Sequence, residues 1–82
     1  MVEYPDVTLI KTELKAGLTF STIALQAKDT AKISRNTANA RKAYDTLLRF
    51  LKKSILSDAD MAEVDPMLAK LKSNLLELGE AL

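Results

Sequence analysis

From Met61 to Leu82, apolar residues return at alternating spacings of three and four: Met61, Val64, Leu68, Leu71, Leu75, Leu78 and Leu82. Side chains at that spacing share one face of an α-helix, and no strand can gather them on one side. The stripe is only about three heptads long, which predicts one wall of an intramolecular bundle rather than half of a coiled-coil dimer. Ser57-Asp58-Ala59-Asp60 supplies an N-cap and acids for the first turn, and Gly79 supplies the stop. Pro66 falls inside the stripe. The apolar phase carries across it, so the expectation is one helix with a kink at Pro66.

The stretch from Ile33 to Ile55 is expected to organise the rest. Its apolar members Ile33, Ala40, Ala43, Tyr44, Leu47, Leu48, Phe50, Leu51 and Ile55 fill one arc of a helix. Arg35, Asn39, Lys42, Asp45, Thr46, Arg49 and Lys53 fill the remainder. A helix with a single neighbour needs an apolar stripe of roughly 100°, and this arc is roughly 160° wide. Such a helix should touch two neighbours, or one neighbour and a partner.

The first helix is expected to open at Pro5, where a missing N–H costs nothing, with Asp6 against the positive end of the dipole. Val7, Ile10, Leu14, Leu18 and Leu25 share one face, and Leu9, Ala16, Phe20, Ile23 and Ala27 share the opposite one. A helix apolar on both sides is either sandwiched or interrupted. Gly17-Leu18-Thr19 offers a possible break, but a lone glycine inside a helix costs only about 1 kcal/mol. The helix is therefore expected to continue, leaving its second face open. The turn that follows is placed at Ser34-Arg35-Asn36-Thr37, with Asp29-Thr30 as the alternative. Together these signals predict one all-α domain over residues 1–82, a three-helix up-down-up bundle. Its helices are expected at about 6–33, 37–54 and 58–79.

Composition narrows the function classes. A chain of 82 residues buries only about 60–65% of its unfolded surface, enough for a modest core but not for an enclosed reaction chamber as well. It has no cysteine and no histidine, which removes thiol nucleophiles, thiolate metal sites and the commonest general base. Asp58, Asp60, Glu63 and Asp65 lack the glycine and terminal glutamate of a calcium loop and coincide with a helix start. Ser21, Thr22, Ser34 and Ser73 have no histidine to activate them. The two glycines form no phosphate cradle. Tyr44 is expected as a core aromatic, Met61 and Met67 as gap fillers. The expectation is a protein that is not an enzyme, with no metal and no cofactor. Nor does any apolar run reach the 18 residues of a spanning helix. A cytoplasmic protein without membrane contact is expected.

Charge is uneven. Lys28, Lys32, Arg35, Arg41, Lys42, Arg49, Lys52 and Lys53 face only Asp29 and Asp45 in their stretch, while Ser57–Leu82 holds six acids against two lysines. A basic helix beside an acidic one predicts internal complementarity and a solvated face. The alternative is nucleic-acid binding through Arg35, Arg41, Lys42, Arg49 and Lys53 on the central helix's polar side. Net charge is only +1, and no aromatic stands among these cations to stack on a base.

Ala40-Arg-Lys-Ala43-Tyr44-Asp-Thr-Leu47-Leu48 resembles the second helix of a tetratricopeptide-type hairpin, and its spacing is similar to that of three-helix modules of the microtubule-interacting-and-transport kind. Lys28 stands where the tetratricopeptide pattern has a small residue, and no second copy follows at that family's period. The resemblance implies a helix-binding module and assigns no residue. The expected function is a protein–protein interaction module or small homo-oligomer. It would bind another protein, or a second copy of itself, through the face of Leu9, Phe20 and Ile23 flanked by Ala16 and Ala27.

Overall fold

A computed structural model of the chain describes residues 7–82. It forms three helices in sequence: α1 (Val7–Gln26), α2 (Thr30–Lys53) and α3 (Asp58–Glu77). The expected opening at Pro5 and Asp6 lies outside the described residues. Lys11 meets Glu63, Gly17 meets Leu71 and Ser21 meets Asn74. Residue numbers rise together along both helices, so α1 and α3 run parallel, and α2, which connects them in the chain, gives the up-down-up order.

The first turn falls at the alternative position. α1 ends at Gln26 rather than near residue 33, and Asp29 caps α2 in extended backbone, its Oδ2 accepting the Lys32 N–H at 3.1 Å. A carboxylate at an N-cap satisfies an orphan donor and meets the positive end of the dipole, which outweighs the turn preference of Ser34-Arg35-Asn36-Thr37. Asn36 is accommodated inside the helix because its Nδ2 donates to Lys32 O, one turn back, at 2.8 Å.

The hub is α1, not the Ile33–Ile55 stretch. α1 packs extensively on α2 and also on α3, whereas α2 and α3 barely touch. The buried line on α1 is Ile10, Leu14, Gly17, Ser21 and Ala24: it keeps Ile10 and Leu14 of the first face and continues through small residues that neither face included. Leu25, expected inside, is exposed. α1 is continuous through Gly17, and the glycine is a notch rather than a break. A Cβ there would lie 2.8 Å from Leu71 Cδ2 and 3.5 Å from Ala43 Cβ. Around this crossing Ile10, Leu14, Ala40, Tyr44, Leu47, Val64, Leu71 and Leu75 make the core. Phe50, Leu51 and Met67 pack on its edge. Beside Gly17 the α1–α3 seam holds a buried polar contact. Ser21 Oγ donates to Leu18 O at 3.2 Å and accepts from Asn74 Nδ2 at 3.0 Å.

α2 ends at Lys53, so Ile55 falls in the connection and projects fully into solvent instead of closing the apolar arc. Ser57 then caps α3, its Oγ accepting the Asp60 N–H at 3.1 Å, with Asp58 and Asp60 in the first turn. α3 passes through Pro66 as one helix. Ala62 and Pro66 are both exposed, so the carbonyl deprived of its donor stands on the water side. The last turn closes around Gly79 at φ 91°, a left-handed backbone that only glycine adopts without cost. The Glu80 N–H donates to Leu75 O and the Gly79 N–H to Leu76 O, both at 3.0 Å. These are the paired bonds of a Schellman turn, and they send the chain back toward α2.

Candidate functional site

The reversal at Gly79 delivers Glu80 and Ala81 to Arg41, halfway along α2. Arg41 Nη1 donates to Ala81 O at 2.8 Å and to Glu80 Oε1 at 3.3 Å, while its Nε donates to Asp45 Oδ1 at 3.1 Å. The Asp45 hydrogen bond, then the nearby Glu80 carboxylate, hold the guanidinium's pKa above its ordinary value. Arg41 is therefore a clasp between α2 and the end of the chain rather than a free cation. A partner carboxylate or phosphate would have to compete with two carboxylates for it.

Beside this clasp a broad groove of about 1020 Å³ opens along the flank of α2. Ile33, Leu48 and Leu78 give it apolar lining, and Lys42, Arg49 and Lys52 give it charge. Asp45 and Glu80 also line it, and both are spent on Arg41. Thr37 belongs to the same wall. Among the described residues its Oγ1 is the buried side-chain polar atom without a hydrogen-bond partner. Ile33 is half-buried and lies outside the core cluster. The wide arc of α2 thus serves two unequal neighbours, α1 extensively and α3 slightly, and part of it lines the groove.

The residues expected as a docking face on α1 take the other flank of α2. Leu9 is 51% exposed, while Ala16, Phe20, Ile23 and Ala27 are half-buried. Phe20 packs against the core, so it is less available than its place on the second face implied. The structure brings Ala16 and Phe20 together in a smaller recess of about 350 Å³, closed by Glu13, Asn39, Lys42, Ala43 and Thr46. Leu9, Ile23 and Ala27 do not line it. Lys42 and Thr46 border both recesses, so the outer face of α2 is the ridge between them.

Of the cations proposed for nucleic acid, Arg35, Lys42, Arg49 and Lys53 are exposed, and Arg41 alone is engaged by carboxylates. Arg49 Nη2 donates to Thr46 Oγ1 at 3.2 Å. The expected complementarity between a basic α2 and an acidic α3 does not form along the helices. Among the described residues, the ion pairs that join elements are Lys11–Glu63, from α1 to α3, and Arg41–Glu80. Glu63, hydrogen-bonded by Lys11, is held below the usual carboxylate pKa, and Lys11 is correspondingly raised. Among the described residues no group of three or more His, Cys, Asp or Glu is placed to hold a metal ion, and no helix is long and apolar enough to cross a membrane.

The groove was missed because its walls depend on two things hidden from hydrophobicity: how little α3 approaches α2, and where a left-handed turn sends Glu80. A small-residue line at Gly17, Ser21 and Ala24 was the available signal for the close helix pair. No family model, no curated protein and no solved structure matches the chain.

Proposed function

We propose that this protein works by binding another polypeptide in the α2 groove, as a helical interaction module with no chemistry of its own. The observation that carries this is the open groove on the flank of α2, where the half-buried Ile33, Leu48 and Leu78 share one lining. The groove follows α2 from Ile33 to Lys52, about 28 Å at 1.5 Å per residue, which suits a helix of about five turns. Burial of such an apolar strip is worth roughly 25 cal/mol per Å² before association costs.

The test is a titration of isotope-labelled protein with a helical peptide of about 18 residues carrying a leucine stripe and uncharged flanks. Resonance shifts are expected at Ile33, Leu48 and Leu78. Ile33→Glu should weaken binding at least about tenfold while leaving thermal unfolding unchanged, since an acid near a helix N-terminus is tolerated. Absence of binding removes the reading. A self-associated protein whose contact maps to Leu9, Phe20 and Ile23 moves the interface to α1 and removes it equally.

A further inference from the structure

The flanking charge says what kind of helix belongs in the groove. Four cations line it, Arg41, Lys42, Arg49 and Lys52, against the carboxylates of Asp45 and Glu80. Both carboxylates are consumed by Arg41. Among the described residues, Lys42 and Lys52 make no hydrogen bond or ion pair, and Arg49 hydrogen-bonds the neutral Thr46 hydroxyl. On α2, at about 100° per residue, Ile33 and Leu48 share one side of the helix and Lys52, Arg49 and Lys42 lie progressively farther round it, while Leu78 comes from the end of α3. An apolar floor with positive charge along one edge is complementary to an amphipathic helix whose leucine-type stripe is bordered by acids.

We propose that the α2 groove is specific for an acidic amphipathic helix of a partner protein, whose apolar face covers Ile33, Leu48 and Leu78 and whose carboxylates meet Lys42, Arg49 and Lys52. This rests on the docking reading above and adds the sign of the partner. The partner's acids do not need Arg41, so the clasp to Glu80 and Ala81 stays closed on binding. The contact lies at the rim, where charge sets association rate and partner choice more than total affinity. A basic helix of the same shape is rejected by like charge. A nucleic-acid duplex offers the negative charge but nothing for the apolar floor.

The experiment uses three helical peptides with one leucine stripe and Glu, Gln or Lys in the flanking positions, together with a duplex DNA of similar length. Each is followed by fluorescence anisotropy against the full chain. The Glu peptide is expected to bind most tightly and the Lys peptide at least about tenfold more weakly. That gap should narrow as salt is raised. The double variant Lys42→Glu, Lys52→Glu alters two exposed side chains, and unchanged circular dichroism verifies its fold. It should reverse the order of the Glu and Lys peptides. Equal binding of all three peptides overturns the acidic partner and leaves the docking module standing. Failure of all three overturns both. Duplex DNA that binds more tightly than any peptide, with a steep salt dependence, overturns both in favour of phosphate recognition.

Discussion

α3 meets its two neighbours in opposite ways. Against α1 it seats Leu71 in the space left by Gly17 and hydrogen-bonds Ser21 through Asn74. Against α2 it is held near its far end by Arg41, and Ile33, Thr37 and Leu48 are left along an open flank. The difference lies in side-chain size. Gly17 and Ser21 lower the surface of α1 where Leu71 and Asn74 of α3 seat, while the groove flank of α2 sets the larger Ile33, Lys42, Leu48, Arg49 and Lys52 beside the small Ser34 and Ala38. Small residues at a helix crossing therefore decide which neighbour is packed and which is left with surface to offer, as much as the leucines do.

The largest test of this contrast is truncation on either side of it. Leu71→Ala empties the notch opposite Gly17 and should cost about 3–4 kcal/mol in urea unfolding, whereas Leu48→Ala on the groove side should cost about 1 kcal/mol. Equal costs would mean that the groove is as tightly packed as the seam. Next comes overfilling. Gly17→Val pushes a branched side chain into Leu71 and should lower stability by about 2 kcal/mol, despite the removal of a helix glycine. A neutral result would show that α3 can back away without loss.

Thr37→Val should stabilise the protein by about 1 kcal/mol, because it removes a buried hydroxyl without a partner and keeps the shape. Destabilisation would show that the hydroxyl is hydrogen-bonded in solution. The smallest effect concerns Lys11 and Glu63. A carboxylate whose folded pKa lies below its ordinary value of 4.5 stabilises the protein above that value and loses the contribution as pH falls through the folded one. Thermal unfolding below about pH 5 should therefore fall less steeply in Glu63→Gln than in the parent protein.

Much of the architecture was legible in the chain. The N-cap at Ser57, the acids behind it, the three-and-four spacing and Gly79 are local signals that agree with one another, and α3 lies close to where they put it. The start of α2 was not legible in the same way. Asp29 and the Ser34–Thr37 cluster carry the same chemistry, and a side chain that bonds back within its own helix, as Asn36 does, removes the objection to continuing. The candidate site was legible in part. The basic residues of α2 and the excess width of its arc both announced surface to spare. That Arg41 was already taken, by groups 39 and 40 residues away, depended on a turn in another element. Nor can a width in degrees say which of two neighbours comes near.

The contact between Ser21 and Asn74 has a consequence for the alignment of α1 with α3. A leucine repeat is self-similar, so α3 slid along α1 by one heptad, about 10 Å, would still oppose grease to grease. In that shifted alignment Asn74 would be stranded from Ser21, and the hole at Gly17 would face a different tooth. Each orphaned buried amide or hydroxyl carries a penalty of about 1–3 kcal/mol. One hydroxyl, one amide and one missing methyl thus act as the index mark on an otherwise unlabelled ruler.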